Sequence, residues 1–236
     1  MNVNSNGYTY TFSIVMVVVV AAVLSFTALS LKAPQERNIE LEKKQDILRS
    51  LGIEVDREAA SEAFDAAIQQ QVVLQNGQPV STPAVEAFKI DLAKAMATPV
   101  AERQVPLFIA QKDKKTFYIV PVRGKGLWGP IWGYIALESD GNTVYGATFG
   151  HKSETPGLGA EISTPVFTDP FKGKKLMEGS NFVSIEVRKG DAAGEHQVNG
   201  ISGGTITSVG VQAMLQDCLA PYAQYFKSNT NTVSAL

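Results

Sequence analysis

The chain has 236 residues, of which 44% are hydrophobic and 19% charged, with 21 basic against 23 acidic side chains and a net charge of -2. That balance lacks the basic excess typical of proteins whose main partner is nucleic acid. The single cysteine, Cys218, excludes an intramolecular disulfide and a cysteine-based zinc or iron–sulfur site, and two histidines are too few for a histidine-rich metal cluster. We therefore expect no nucleic-acid partner and no metal site.

Residues 12–31 form an uninterrupted apolar stretch, FSIVMVVVVAAVLSFTALSL, and the first charged side chain of the chain is Lys32. In a helix that rises about 1.5 Å per residue, about 20 residues span the hydrocarbon core of a bilayer. A buried helix of a soluble protein would have a polar face, and a cleaved signal peptide would have a basic start and a shorter apolar core. The stretch predicts a single transmembrane anchor.

Charge alone leaves the orientation of this anchor open. Basic residues follow the apolar stretch and none precedes it, which by the positive-inside rule places the large domain in the cytoplasm. The rule is weak for long domains, however, because they cross the membrane largely regardless of charge. The basic residues are Lys32, Arg37, Lys43, Lys44 and Arg49.

The segment after the anchor is predicted to be a stalk followed by further helices. Pro34 is typical of a first helical turn and Gly52 of a helix end, which predicts a stalk helix over residues 34–51. Asp56 is a candidate N-cap for a second helix. Residues 83–97, PAVEAFKIDLAKAMA, have the composition of a third helix.

Short strands are predicted after about residue 104. Turn residues such as Asp140-Gly141 separate them, which indicates an antiparallel meander, and Asn76-Gly77 is typical of an earlier hairpin turn. A last helix over about 208–226 closes the chain, so we expect an α+β fold. The strand candidates are residues 106–111, 116–122, 131–138, 143–150 and 181–188.

Three glycine-containing segments are candidates for chemistry, and each also has an ordinary structural explanation. Residues 196–208, HQVNGISGGTITS, end at a helix start, where free amides and the helix dipole suit a phosphate, although such residues also simply cap helices. Residues 151–159, HKSETPGLG, form a rigid turn in which Glu154 either faces a ligand or is solvated. Residues 123–134, RGKGLWGPIWGY, have two tryptophans that either form a wall for a flat ligand or pack in the core.

Taken jointly, the three segments resemble the FMN-binding domain family. ISGGTITS is similar to its flavinylation motif, S/D-G-A/S/G-T-x-S/T, whose threonine carries FMN through a phosphoester, and Gly204 stands where alanine is commoner. HKSETPGLGAEI is similar to the family's flavin loop. GKGLWGPIWGYIALESDGNTVYGATF is more similar to the C subunit of the sodium-pumping NADH:quinone oxidoreductases than to the G subunit of the related RNF complexes. The resemblance covers roughly residues 100–215.

The resemblance implies one covalently bound FMN, attached to Thr205. It implies no catalytic residue and no metal ligand on this chain. The remaining candidate FMN-binding residues are Ser202, Gly203, Gly204 and Thr207 of the flavinylation motif, Glu154, Thr155, Leu158 and Gly159 of the flavin loop, and Trp128 and Gly129 as further contacts.

The resemblance also implies a setting for the chain. It would relay electrons as one subunit of a six-subunit complex of the bacterial inner membrane, a translocase that passes electrons from NADH to ubiquinone and exports sodium, with no complete active site of its own. A separate flavin transferase would attach the FMN on the periplasmic side. The expected organisation is an N-terminal tail, a transmembrane helix, a stalk with a helical region and an FMN-binding domain, at residues 1–11, 12–31, 32–100 and 101–236.

Two alternatives remain open. One is a subunit of an RNF-type electron transport complex, which has the same flavin chemistry. The other is a membrane-anchored binding domain without a redox cofactor, in which the glycine-rich segment only caps the last helix.

Overall fold

A computed structural model of the chain describes residues 5–81 and 85–233 and contains two compact units, Met1–Lys43 and Lys44–Leu236. Helix α1 (Asn6–Ser50) contains the predicted anchor, and it is long and apolar enough to cross a membrane. Pro34 lies inside α1, so the prediction that it begins a separate stalk helix is wrong. A proline removes one hydrogen bond, and the good helix formers around it continue the helix.

The end of α1 is the predicted one. Gly52 has a φ of +67°, the left-handed conformation that glycine adopts without strain. Its amide donates to the carbonyl of Arg49, and the amide of Ile53 donates to the carbonyl of Leu48. These two bonds form a Schellman motif, which satisfies carbonyls at the end of a helix.

The next two helices differ from prediction. Helix α2 (Ala60–Ala67) has no side-chain cap, so Asp56 is not its N-cap. Residues 83–97 are not one helix: a 3₁₀ turn (Ala87–Lys89) precedes a short α3 (Leu92–Ala97), and residues 83 and 84 lie outside the described part. The Asp91 side chain accepts a hydrogen bond from the amide of Ala93 at 2.9 Å and so begins α3 anew, because aspartate stabilises helix starts better than helix interiors.

A six-stranded antiparallel sheet with the order β2-β1-β3-β4-β5-β6 is the centre of the second unit. The predicted meander and the hairpin turn at Asn76-Gly77 are both present. The sheet begins at Ile68, so part of the predicted helical region 32–100 is strand. The strands are β1 (Ile68–Gln75), β2 (Gln78–Pro79), β3 (Gln104–Lys112), β4 (Lys115–Lys125), β5 (Pro130–Leu137) and β6 (Val144–His151).

The predicted strand 181–188 is two separate strands. Ser184 has a φ of +62°, which breaks the extended chain, and the amides of Val183 and Ser184 both donate to the carbonyl of Leu176. The first part pairs antiparallel with a preceding strand and the second pairs parallel with a later one. These are β7 (Met177–Glu178) with β8 (Asn181–Phe182), and β9 (Glu186–Arg188) with β10 (Gln197–Asn199).

The closing helix lies against one face of the sheet. After a short helix α4 (Pro165–Thr168), helix α5 (Thr205–Val233) begins three residues before the predicted start and packs mainly on β4. Alternate strand residues face opposite sides: Val120 belongs to the core beneath α5, and Ile119 to a second core with α2 and the end of α1. The α+β prediction is confirmed.

Candidate functional site

The first turn of α5 presents free backbone amides next to an exposed threonine. Thr205 is the first helical residue, and Gly204 before it has no side chain with which to cap the helix. The amide of Ser208 is the first to close a helical turn, on the carbonyl of Gly204 at 2.9 Å. Within the described residues, the amides of Thr205, Ile206 and Thr207 have no hydrogen-bond acceptor. Such amides, together with the helix dipole, favour a bound anion.

A cavity of about 600 Å³ opens beside this helix start. One side is formed by the flavinylation motif, through Ser202, Gly203 and Thr205, of which Ser202 and Thr205 are exposed. Strand β9 and the two residues that follow it, residues 186–190, form another part of the lining. The cavity therefore brings the candidate attachment residue next to a second segment of the chain.

The buried carboxylate of Glu154 connects all three glycine-containing segments. Only 4% of Glu154 is exposed. The hydroxyl of Thr207 donates to Glu154 Oε2 at 2.6 Å, and the amide of Trp128 donates to Oε1 at 2.8 Å. Burial raises the pKa of Glu154, but the hydrogen bonds from Thr207 and from the amides of Trp128, Gly129 and Leu127 outweigh it and hold the pKa below its usual range. The carboxylate is ionised and satisfied, and it is not the solvated glutamate that sequence allowed.

Glycine is required where the two loops meet. A Cβ added to Gly159 would lie 2.5 Å from both Glu154 Oε2 and Thr207 Oγ1, which is closer than such atoms approach. Gly203 has a φ of +75°, and its Cβ would lie 2.7 Å from the Leu158 side chain. The flavin loop and the flavinylation motif are thus in direct contact, at a spacing that side chains larger than hydrogen would disrupt.

Exposed apolar side chains surround this contact. Trp128 is 66% exposed, so it is not a core residue, whereas Trp132 is half-buried in β5. Leu158 and Ile206 are exposed as well, and Leu127 lies beside Trp128. Large exposed apolar side chains of this kind mark ligand or partner surfaces more often than ordinary protein surface.

Thr155 and Gly129 contribute to the site through their backbone groups only. Thr155 is exposed, and its side chain makes no hydrogen bond within the described residues. Its carbonyl accepts from the amides of Leu158 and Ala160, so it shapes the turn through the backbone. Gly129 closes the neighbouring loop, because its carbonyl accepts from the amide of Gly126 at 2.8 Å.

Sequence reasoning missed two residues of this cavity. Arg188 and Lys189 line the cavity, yet the only signal they gave was their place at the end of a strand candidate. His151, which belongs to the candidate segment 151–159, accepts a hydrogen bond through Nδ1 from the Glu154 amide, and within the described residues no hydrogen bond or ion pair joins it to the carboxylate. No pattern of spacing in the sequence distinguishes these roles.

The fold and the site define a membrane-anchored FMN-binding domain protein. The FMN-binding domain family matches residues 126–220, which include the Trp128 loop, Glu154 and Thr205.

Relatives identify the family more narrowly. The C subunit of the Na(+)-translocating NADH-quinone reductase of Vibrio campbellii is 32% identical over 212 residues, which cover 80% of this chain and 81% of that one. Its counterpart in Pseudomonas aeruginosa is 34% identical over 213 residues, again 80% of this chain and 81% of that one. The chain belongs to the family formed by the C subunits of Na(+)-translocating NADH-quinone reductases.

Solved structures agree with this assignment. The crystal structure of the C subunit from Parabacteroides distasonis is 44% identical and superimposes with a TM-score of 0.76, covering 83% of this chain and 96% of that one. NqrC of Shewanella oneidensis, at 24% identity and a TM-score of 0.66, covers 80% of this chain and 98% of that one and has the same fold.

Proposed function

We propose that the chain is a membrane-anchored flavoprotein subunit of a sodium-translocating NADH:ubiquinone reductase and that it carries one FMN, esterified through its phosphate to Thr205. The observation that carries this proposal is the exposed Thr205 hydroxyl at a helix start whose first three amides have no acceptor within the described residues. When bound, FMN supplies the electron-transfer chemistry, and the chain supplies its position and surroundings.

The residues around Thr205 suit a phosphoester. The amides of Thr205, Ile206 and Thr207 point along the helix axis toward its start, where the dipole stabilises negative charge. Gly203 and Gly204 allow the backbone to approach the phosphate without a side chain between them. Ser202 adds a hydroxyl at the rim of the same cavity. Together these groups bind and orient the phosphate.

The flavin loop and the Trp128 loop act on the site in two different ways. Leu158 and Trp128 offer exposed apolar surface, which suits the face of a flat aromatic ring. Glu154 is a positioning residue: its carboxylate holds Thr207 and the Trp128 loop and is too deeply buried to lie at the surface of the site. Thr155 and Gly159 shape the turn that connects them.

The setting follows from family membership and from the apolar helix. The FMN-binding domain, residues 101–236 with the strands that precede it, would lie on the periplasmic side, and residues 12–31 would cross the bacterial inner membrane once. Further subunits, making six in all, would deliver and remove electrons, and a flavin transferase would load Thr205. The relatives support this assignment over an RNF-type subunit.

Intact mass tests the attachment. The full chain is produced together with a flavin transferase, and the denatured protein is expected to retain flavin fluorescence and the mass of FMN less one water. Thr205→Val should lose both. Ser202→Ala removes a neighbouring exposed hydroxyl and should keep both. Covalent flavin on the Thr205→Val chain would refute the assignment of the residue, and a wild-type chain without covalent flavin would refute the proposal itself.

A further inference from the structure

We propose that Arg188 and Lys189 form a basic wall beside the start of α5 that holds the phosphate of the flavin on Thr205. This inference rests on the proposed function. Both residues line the cavity of about 600 Å³ that also contains Ser202, Gly203 and Thr205. Phosphate is the ligand chemistry that a guanidinium and an ammonium group beside a helix start would select.

The backbone fixes this wall relative to Thr205. The carbonyl of Arg188 accepts hydrogen bonds from the amides of Gly190 at 3.0 Å and Gly200 at 2.7 Å, which ties the end of β9 to the segment that leads into the flavinylation motif. The amide of Val187 donates to Gln212 Oε1 at 2.9 Å, which ties the same strand to α5 itself. Both sides of the cavity are therefore parts of one connected structure.

The contacts of the Arg188 side chain occupy only some of its N–H donors. Its Nη1 donates to Gln197 Oε1 at 3.4 Å, and its Nε lies 3.8 Å from Glu186 Oε1. Glu186 is also occupied by Gln197, whose Nε2 donates to Oε2 at 2.8 Å. A guanidinium has five N–H donors in a rigid fork, so donors remain for a phosphate.

The side chains that line the cavity carry a net positive charge, which favours a phosphate. Arg188 and Lys189 contribute two positive charges against the single carboxylate of Glu186, and the other polar side chains in the lining are neutral. The positive end of the α5 dipole, at the same cavity, adds to this. A phosphodiester keeps one negative charge at neutral pH, so it would lie between two positive surfaces.

Replacing Arg188 and Lys189 tests whether the basic wall binds the phosphate. Arg188→Gln/Lys189→Gln is made in the full chain and produced with a limiting amount of flavin transferase. We expect loading of FMN to be slowed about tenfold, because each charge-assisted hydrogen bond to phosphate is among the stronger polar contacts. The control is Lys114→Gln/Lys115→Gln, at the end of the β3–β4 turn and the first residue of β4, which removes the same charge and should load as the wild type does.

Phosphorus NMR separates contact with the phosphate from recognition by the transferase. In the chain that has been loaded to completion, the phosphodiester resonance of the Gln/Gln variant should differ from that of the wild type when folded and coincide with it when unfolded. Arg188→Lys keeps the charge and should load within a few-fold of the wild type. A folded resonance identical to that of the wild type overturns the wall, whether or not loading is slower.

These experiments distinguish failure of the basic wall from failure of the proposed function. If the Gln/Gln variant loads at the wild-type rate, the wall is refuted while Thr205 remains the attachment residue. If the wild-type chain is never loaded, the proposed function itself has failed.

Discussion

The hydrogen bond between Thr207 and Glu154 joins the two loops of the flavin site, and its removal tests that architecture. Thr207→Val keeps the shape of the side chain but deletes the hydroxyl that donates to Glu154 Oε2 at 2.6 Å. Glu154→Gln keeps the shape of the carboxylate but removes its charge. Because 4% of Glu154 and 1% of Thr207 are exposed, water does not replace the lost partner.

The size of the effect follows from burial and charge. A hydrogen bond to a charged group contributes about 1.5–3 kcal/mol, so each single change should lower the free energy of unfolding by about 2 kcal/mol. For a domain of this size that lowers the Tm by about 4–8 °C. Thr207→Val deletes the donor of this bond and Glu154→Gln removes the charge of its acceptor, so the double variant should be less destabilised than the sum of the two by about 1–2 kcal/mol.

Thermal unfolding of the detergent-solubilised full chain measures this coupling. The chain has two tryptophans, Trp128 and Trp132, so intrinsic fluorescence reports on the loop that Glu154 holds. Thr155→Val is the matched control, because the Thr155 side chain is exposed and makes no hydrogen bond within the described residues, and its Tm should not change. Single-variant effects that add within about 0.5 kcal/mol would refute the shared bond.

The pH dependence has a defined sign. The pKa of Glu154 is lower in the folded chain than its usual value, because hydrogen bonds from Thr207 and three backbone amides outweigh the effect of burial. The charged carboxylate therefore stabilises the fold above the unfolded pKa of about 4.3, and this stabilisation is lost as the pH falls through the folded pKa. The difference between the wild type and Glu154→Gln should shrink as the pH is lowered below about 4.

Two further predictions concern a pair of glycines and the orientation of the chain. A Cβ on Gly204 would lie 3.0 Å from Ile201 Cγ2, whereas a Cβ on Gly159 would lie 2.5 Å from Glu154 Oε2 and Thr207 Oγ1. Gly204→Ala should therefore change the free energy of unfolding by less than about 1 kcal/mol and leave FMN loading intact, while Gly159→Ala lowers both the Tm and loading; equal effects would contradict the close approach. For the orientation, alkaline phosphatase at the C-terminus should be active and a fluorescent-protein fusion dark. The opposite pair of results would show that the basic residues after the anchor direct the domain to the cytoplasm.

Local features of this protein were determined by neighbouring residues in the sequence. The anchor is a continuous apolar stretch, the meander is an alternation of strand and turn residues, and the end of α1 requires the positive φ of Gly52. Each of these depends on a few adjacent residues whose preferences agree, so pattern alone predicts them. The start of α5 belongs to this group only in part, because the sequence predicted it at about residue 208 and the structure has it at Thr205.

Where local preferences conflicted, the sequence pattern alone did not decide the outcome. Residues 181–188 alternate like one strand, yet hydrogen bonds to Leu176 and the positive φ of Ser184 divide them between two ribbons. Pro34 looks like a helix start, yet α1 continues through it. Asp91 interrupts a helix-forming segment by capping its second half.

The role of Glu154 was decided by the tertiary structure alone. Its partners Trp128 and Thr207 are 26 and 53 residues away along the chain. A glutamate in a polar turn is ordinarily solvated, and only loops brought together by folding exclude water from it and supply the donors that keep it charged. The same holds for Arg188, which lines the same cavity as Thr205 because β9 pairs with β10 and the neighbouring Val187 is bonded to α5. The residues of a site are therefore readable from the sequence where they form a local motif, and their burial and partners are not, because both arise from contacts between distant segments.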